Sequence, residues 1–233
     1  MKISLLTPGD VRLQIKPIPL DAAEPPASRK APSEPVRADV GHSSGTMLVS
    51  AFLPGVGWVT GAGLLAEEIL RAAGARIDAL RDGSPEDEVT EGLPEAEIFV
   101  YEDLLRKGRS VVIALAEDGT AEPIRQSLRQ QGADAIEAAR QEWWTGLRDG
   151  EREHYSASGG DFVNDEKFYR LGFEAALHAR TRCKEFDQVS AEMDSKLEDL
   201  EEQYPGAQIE EPFTRGYQRG REHFQALCDE RAA

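Results

Sequence analysis

The sequence predicts an α+β fold in which a small sandwich of strands and helices precedes an all-helical C-terminal domain. Short apolar runs bounded by Gly and Pro, which are typical of strands, occur before residue 140. Beyond residue 140, apolar residues recur every three or four positions, which is typical of amphipathic helices. The predicted division is a β-hairpin over residues 1–19, a Pro-rich linker over 20–45, an α+β domain over 46–139 and a helical domain over 140–233.

The hairpin and the linker are predicted from local composition. KISLL and VRLQIKPI, within residues 2–18, flank the turn sequence TPGD, and the second run alternates apolar with polar side chains. Residues 20–45 are rich in Pro, Ser and Ala and almost lack large apolar side chains, which predicts a disordered or extended linker. His42 falls in this linker, where we expect it to be solvated.

The stretch around which the first domain is organised is glycine-rich. Residues 46–53 are predicted to form a strand, 54–63 a turn and 64–75 a helix. A strand, closely spaced glycines and a helix are typical of a nucleotide-binding turn, and the candidate cofactor-binding residues are Gly55, Gly57 and Gly61. The alternative is close packing of small residues. Because the repeated strand and helix units of a dinucleotide-binding domain are missing, we predict no cofactor.

A helix–strand–helix–strand order follows, which is typical of half of a ferredoxin-like sandwich. The predicted elements are a helix over 93–108, a strand over 109–119, a helix over 120–133 and a short strand over 134–138. The apolar run over 111–116 predicts that the strand is covered on both faces. The second helix is predicted to bury Ile124 and Leu128.

Two helices of the C-terminal domain share a repeated pattern. Tyr169, Gly172, Phe173 and Ala176 correspond to Phe213, Gly216, Tyr217 and Gly220, and such alternation of aromatic and small residues lets two helices pack closely as a pair. Trp143 and Trp144 are adjacent and cannot share one helix face, so one of them is predicted to be partly exposed or at an interface. The predicted interface residues are Trp143, Trp144, Tyr169, Gly172, Phe173, Phe213, Gly216, Tyr217 and Gly220.

Acidic residues next to histidines on predicted helices are candidate metal ligands. The pairs are Glu151 with His154, Glu174 with His178, and Glu222 with His223. Only the first has the Glu-x-x-His spacing from which di-iron sites in helix bundles are built, so the alternative is solvated or helix-pairing side chains. No nucleophile elbow is present, and no catalytic residue is predicted.

Composition narrows the environment and the partners. The chain has 233 residues, of which 27 are basic and 43 acidic, and its net charge of −16 repels phosphate backbones, so no nucleic-acid partner is predicted. Cys183 and Cys228 fit a reducing cytoplasm, where we expect both to be packing residues, and the N-terminus lacks the pattern of a signal peptide. The uncharged run over 40–66 leaves one alternative open, a membrane-associated protein that inserts residues 47–65.

Three segments carry a family resemblance: LPGVGWVTGAGLL, LPEAEIFVYEDLLRKGRSVVIALAEDG and IRQSLRQQGADAI. Over residues 47–138 the chain resembles the bacterial general stress proteins of the glycine-rich heat-induced and low-temperature-induced type. The helical part looks like an extension found on bacterial proteins of unassigned function. The resemblance implies a non-catalytic role in a stress response, exerted through a protein partner or through self-association. A carboxylate and histidine metal protein is the other alternative.

Overall fold

A computed structural model describes residues 2–9, 42–43, 46–63, 65–75, 95–116 and 119–232. Within these ranges the chain forms one antiparallel sheet and seven α-helices, so the predicted α+β class is confirmed. The strands are β1 (Lys2–Pro8), β2 (His42–Ser43), β3 (Thr46–Leu53), β4 (Gly57–Gly63) and β5 (Val111–Leu115). The helices are α1 (Ala66–Ala72), α2 (Ile98–Arg106), α3 (Ala121–Gln130), α4 (Ile136–Ala157), α5 (Phe162–Leu177), α6 (Ser190–Gln203) and α7 (Glu210–Ala232). Short 3-10 turns, Glu95–Glu97 and Phe186–Gln188, precede α2 and α6.

The strands lie in the order β2-β3-β4-β1-β5, and all neighbours are antiparallel. The predicted ferredoxin-like topology is not confirmed, because that fold alternates its strands with helices, whereas here β2, β3 and β4 follow one another before α1. The predicted short strand over 134–138 is wrong. Ile136, Ala139 and Trp143 are spaced as on one helix face, and α4 begins at Ile136 with these side chains packed inward.

β1 lies inside the sheet, with β4 along one edge and β5 along the other. Ser4, for example, pairs with Gly63 of β4 and with Ile113 of β5. Both sides of β1 are thus paired with strands from later in the chain, and the predicted N-terminal hairpin stays a prediction, because its second strand is not described. Residues 11–18 themselves, and the predicted linker apart from β2, lie outside the described residues.

The glycine-rich segment is a β-hairpin packed under α1. The predicted strand over 46–53 is confirmed as β3, but most of the predicted turn forms β4, in which Val59 points into the core and Trp58 to the opposite side. Gly55 and Gly57 occupy the tight turn with φ of +71° and +103°, a region that glycine adopts without strain. Within residues 47–65, the side chains of Val49, Ala51, Leu53, Val56, Val59 and Leu65 are thus buried in protein. No described helix is both long and apolar enough to cross a bilayer.

α2 is buried on both sides, between the sheet and the C-terminal helices. Its residues Ile98, Tyr101 and Leu105 join the cluster formed with the sheet and α1. Phe99 and Val100 join a second cluster, built mainly from α4, α5 and α7. The hydrophobic core therefore continues across residue 140.

α5 and α7 are in direct backbone contact, as their repeated pattern predicts. A β-carbon added at Gly172 would lie 1.9 Å from the carbonyl oxygen of Phe213, and one added at Gly216 would lie 1.9 Å from that of Tyr169. Overpacking of this kind forces backbones apart. These two glycines set the distance between the helices.

Both adjacent tryptophans are buried, so neither is partly exposed, and the contact of Trp143 with α2 fits the other alternative, an interface within the chain. Trp143 packs edge-on against Phe99 of α2, with ring centres 4.8 Å apart, and Trp144 packs against Phe173 of α5 at 5.9 Å. The Trp144 indole also donates a hydrogen bond to Glu166, at 3.0 Å. Both tryptophans are buried because α2 and α5 of the same chain pack against this part of α4.

Candidate functional site: a cleft beside β5

A cleft of about 690 Å³ lies along β5, bounded by α3 and by the start of α4. All of β5 lines it, and no residue of β1 does, so it follows the edge of β5 that faces away from the sheet. Apolar side chains from four elements form its walls: Leu104, Val111, Ile113, Leu115, Ile124, Leu128 and Ile136. The cleft is an apolar trough whose one side is the backbone of an edge strand.

The position of β5 at the edge of the sheet corrects its predicted environment. The apolar run predicted cover on both faces, yet Val112 is 45% exposed. A strand that is covered on both faces needs apolar residues on both. In β5, one set of apolar side chains packs on the core, and the other set lies on a face that is largely exposed. An edge strand also presents unpaired N–H and C=O groups, which can pair with a further strand.

α3 bounds the cleft without burying any side chain. Ile124 and Leu128, which were predicted to be buried, are only partly covered. They stand on one side of the helix and line the cleft. The helix thus carries its apolar stripe toward an open space instead of toward the core.

Arginines dominate the charged lining of the cleft. Arg109, Arg125 and Arg129 face Asp134 and Glu137. Arg109 is ion-paired with Asp134, whereas Arg125 and Arg129 both reach the single carboxylate of Glu122. A guanidinium has five N–H donors, so two of them on one carboxylate keep donors free for a ligand. In a chain of net charge −16, two arginines on one carboxylate make the α3 side of the cleft locally basic, while Asp134 and Glu137 place acidic groups near the start of α4.

Tyr101 adds a phenol to the lining. Its pKa is raised far above the usual value, first by burial and then by the nearby charges of Glu97 and Glu137. The phenol therefore stays protonated and serves as a hydrogen-bond donor or acceptor. Among the described residues the lining contains neither histidine nor cysteine.

The structure disperses the six candidate metal ligands. Glu151 is buried in the helical domain, where it accepts hydrogen bonds from the Tyr169 hydroxyl at 2.7 Å and from Arg219 Nε at 3.0 Å. Glu222 pairs with the same arginine at 3.1 Å, and Glu174 lies between two other arginines. No cluster of three or more His, Cys, Asp or Glu able to hold a metal occurs in the ranges that the structure describes.

The three histidines of these pairs differ in their surroundings. His154 is exposed on α4. Burial lowers the pKa of His178 and of His223, and the His223 ring lies 5.4 Å from the ring of Phe173. His178 and His223 are thus packing positions at separate places in the C-terminal helices, whereas His154 faces solvent.

The glycines and the predicted interface residues serve the fold. A β-carbon added at Gly61 would lie 2.8 Å from Cβ of Ala66, so Gly61 lets α1 pack on the sheet. Gly55 and Gly57 form the hairpin turn, a geometry that differs from the strand-to-helix turn of a nucleotide site. All nine predicted interface residues are buried within the chain, so their side chains present no surface to another molecule.

Two features of the structure were missed in the sequence. One is the buried ion pair of Glu102 with Arg182, at 2.7 Å, in which burial raises the pKa of the carboxyl group despite the arginine. The other is the cleft itself. A signal for it exists on α3, where Ile124 and Leu128 run parallel to Arg125 and Arg129 at spacings of four residues.

Comparisons with protein-family models, with curated proteins and with solved structures give no match.

Proposed function

We propose that the protein acts without catalysis, by holding an extended, acidic and apolar segment of a protein partner in the cleft beside β5. The observation that carries this proposal is that β5 is an edge strand in the part of the chain that the structure describes and lies along an apolar cleft. An extended peptide that adds to such an edge gains main-chain hydrogen bonds, and its alternate side chains enter the cleft. The role in a bacterial stress response and the cytoplasmic location come from the resemblance and the composition, and they remain part of the proposal.

The charge of the cleft selects the partner. Arg125 and Arg129 share one carboxylate, so an acidic side chain on the incoming segment finds guanidinium donors at the rim. The net charge of −16 repels acidic ligands from most of the surface, and the locally basic α3 side of the cleft then gives specificity of position. We expect an alternation of apolar and acidic residues in the bound segment.

Fluorescence anisotropy with two labelled hexapeptides tests this function. The probes are (Val-Glu)₃ and (Val-Lys)₃, which differ only in the sign of their charge. We expect the full chain to bind the glutamate peptide and to bind it more weakly as salt is raised, because salt screens attraction between opposite charges.

Arg129→Ala provides the site-specific test, and Arg152→Ala is its matched control. The side chains are 53% and 48% exposed, and each arginine has a nearby acidic partner on its own helix. We expect Arg129→Ala to weaken binding severalfold and Arg152→Ala to leave it unchanged. Equal binding of both peptides, or equal effects of both variants, would overturn the proposal.

A further inference from the structure

One face of the sheet collects exposed apolar side chains. The described part of the chain has six large apolar residues that are exposed, and five of them lie on this outer face: Ile3, Leu5, Phe52, Trp58 and Val112. The pairings Phe52 with Trp58 and Leu5 with Val112 place them side by side, because paired residues in antiparallel strands point to the same face. The outer face thus runs from β3 to β5.

The opposite face of the sheet explains why this apolar surface is separate from the core. Leu6, Val49 and Val59 alternate with the outer-face residues and are buried beneath the helices. Phe52 and Trp58, in contrast, form an edge-on aromatic pair with ring centres 6.1 Å apart and keep 46% and 43% of their surface exposed. Large exposed apolar patches mark interaction surfaces.

We propose that the outer face pairs with the outer face of a second copy of this chain to form a two-fold symmetric dimer. The charge distribution carries the choice of partner. The outward positions of β3, β4, β1 and β5 that the structure describes bear no charged side chain, being Leu48, Ser50, Phe52, Trp58, Thr60, Ala62, Ile3, Leu5, Thr7, Val112 and Ala114. Two chains of net charge −16 repel each other, and an uncharged face lets them meet without placing like charges together.

Geometry and area agree with this occupant. Two sheets pack face to face about 10 Å apart, and a two-fold axis makes one patch complementary to itself. Aromatic side chains present roughly 150–250 Å² each and aliphatic ones less, so these five residues, each exposed by half or less, contribute at most on the order of 500 Å² per copy. Both copies together then bury at most roughly 1,000 Å², which is near the lower limit for a specific interface. We therefore expect a weak dimer in equilibrium with the monomer.

Sedimentation velocity over a wide range of concentration, with the full chain, tests the dimer. We expect the average mass to rise with concentration and to rise further with added salt, because salt screens the repulsion between the copies while the contact is apolar. The predicted effect of salt is opposite to that on peptide binding in the cleft. Loss of one activity is therefore distinguishable from loss of the other.

Matched lysine variants locate the interface. Val112→Lys changes the outer face, and Val163→Lys changes the sixth exposed apolar residue, which is 81% exposed on α5. Both add the same charge, yet we expect the first to raise the dissociation constant at least tenfold and the second not to raise it. Because Val112 also lines the cleft, Trp58→Lys on β4 serves as a second variant, and circular dichroism checks that each variant is folded.

Acrylamide quenching of Trp58 reports on the face directly. Trp143 and Trp144 are buried, so the signal lost in Trp58→Phe isolates the exposed indole. We expect Trp58 to be quenched in dilute protein and shielded as the dimer forms. A chain that stays monomeric overturns the proposal. If its own chain covers the face, Trp58 is then shielded at every concentration. If a membrane covers it, Trp58 is shielded only when lipid vesicles are added. A dimer that persists in both lysine variants overturns it as well.

Discussion

The close contact between α5 and α7 depends on two glycines, which have no β-carbon. Gly172 faces the carbonyl oxygen of Phe213 across the helix pair, and Gly216 faces that of Tyr169. These neighbours are backbone atoms, which cannot turn away as the end of a long side chain can. The same residue type on α4, at Gly146, has no neighbour within 4 Å of an added β-carbon.

Gly172→Ala and Gly146→Ala are therefore expected to act in opposite directions. The first must separate two packed helices, and we expect it to lower the free energy of unfolding by about 1–3 kcal/mol or more. The second relieves the entropic cost of glycine in an exposed helix, and we expect a gain of about 0.5–1 kcal/mol. Urea unfolding monitored by circular dichroism measures both. A neutral Gly172→Ala would show that the helices are not in backbone contact.

The partly buried imidazole of His223 predicts how stability depends on pH. Burial lowers its pKa in the folded chain, so the unfolded chain takes up a proton first as the pH falls through about 6.5. The stability that neutral His223 contributes is therefore complete above that pH and is lost as the pH drops toward the folded-state pKa. His178, whose pKa is also lowered by burial, acts in the same direction.

Unfolding experiments between about pH 7.5 and 5.5 bracket the ordinary histidine pKa. We expect His223 to contribute a loss of stability as the pH falls over this interval and His223→Gln to remove that loss, while Glu102, whose raised pKa acts in the opposite direction, is the same in both chains. Identical slopes for the two chains would contradict the assignment to His223.

Among the elements, α2 has the largest part in joining the two halves of the molecule. One side of it packs on the sheet and the other side contacts Trp143, while Glu102 pairs with Arg182 beyond α5. The two-domain division at residue 140 remains a prediction. The shared core gives it a definite test.

Truncation after residue 139 is expected to destroy the cooperative unfolding of the N-terminal part. Phe99 and Val100 would expose apolar surface to water without the cover of α4, and Glu102 would lose its ion pair with Arg182. Differential scanning calorimetry of the truncated and full chains measures this, with a single transition expected for the full chain. A truncated chain that still melts cooperatively would support two independent domains.

Elements whose signal is local could be predicted from the sequence. β3, α2, α5 and α7 each show their own periodicity, and the repeated aromatic and glycine pattern predicted the pairing of α5 with α7. β4 was missed because glycine is uncommon in strands, and here the packing of α1 on Gly61 outweighs that preference. The start of α4 was missed because a short alternating run fits a strand and a helix equally well.

At the scale of the molecule, the order of the strands in the sheet could not be predicted from local sequence patterns. The position of β1 between β4 and β5 depends on pairings between residues far apart in sequence, such as Ser4 with Ile113. The edge position of β5, and with it the cleft and the outer face, follows from that insertion. The candidate metal pairs were predicted from neighbours along the chain, whereas in the folded chain their carboxylates form ion pairs with arginines.

The backbone contact of α5 and α7 also shows where the chain can vary in length. The two glycine positions must stay in step along both helices, so an insertion within either helix would shift one glycine away from the carbonyl that it faces. The length of the connection between Leu177 and Glu210 is not constrained by the contact of α5 with α7, because the register of that contact is set within the two helices alone. The doubled motif, aromatic-x-x-Gly-aromatic-x-x-small, thus fixes the register of the pair, and we expect it to tolerate a change in the length of the spacer.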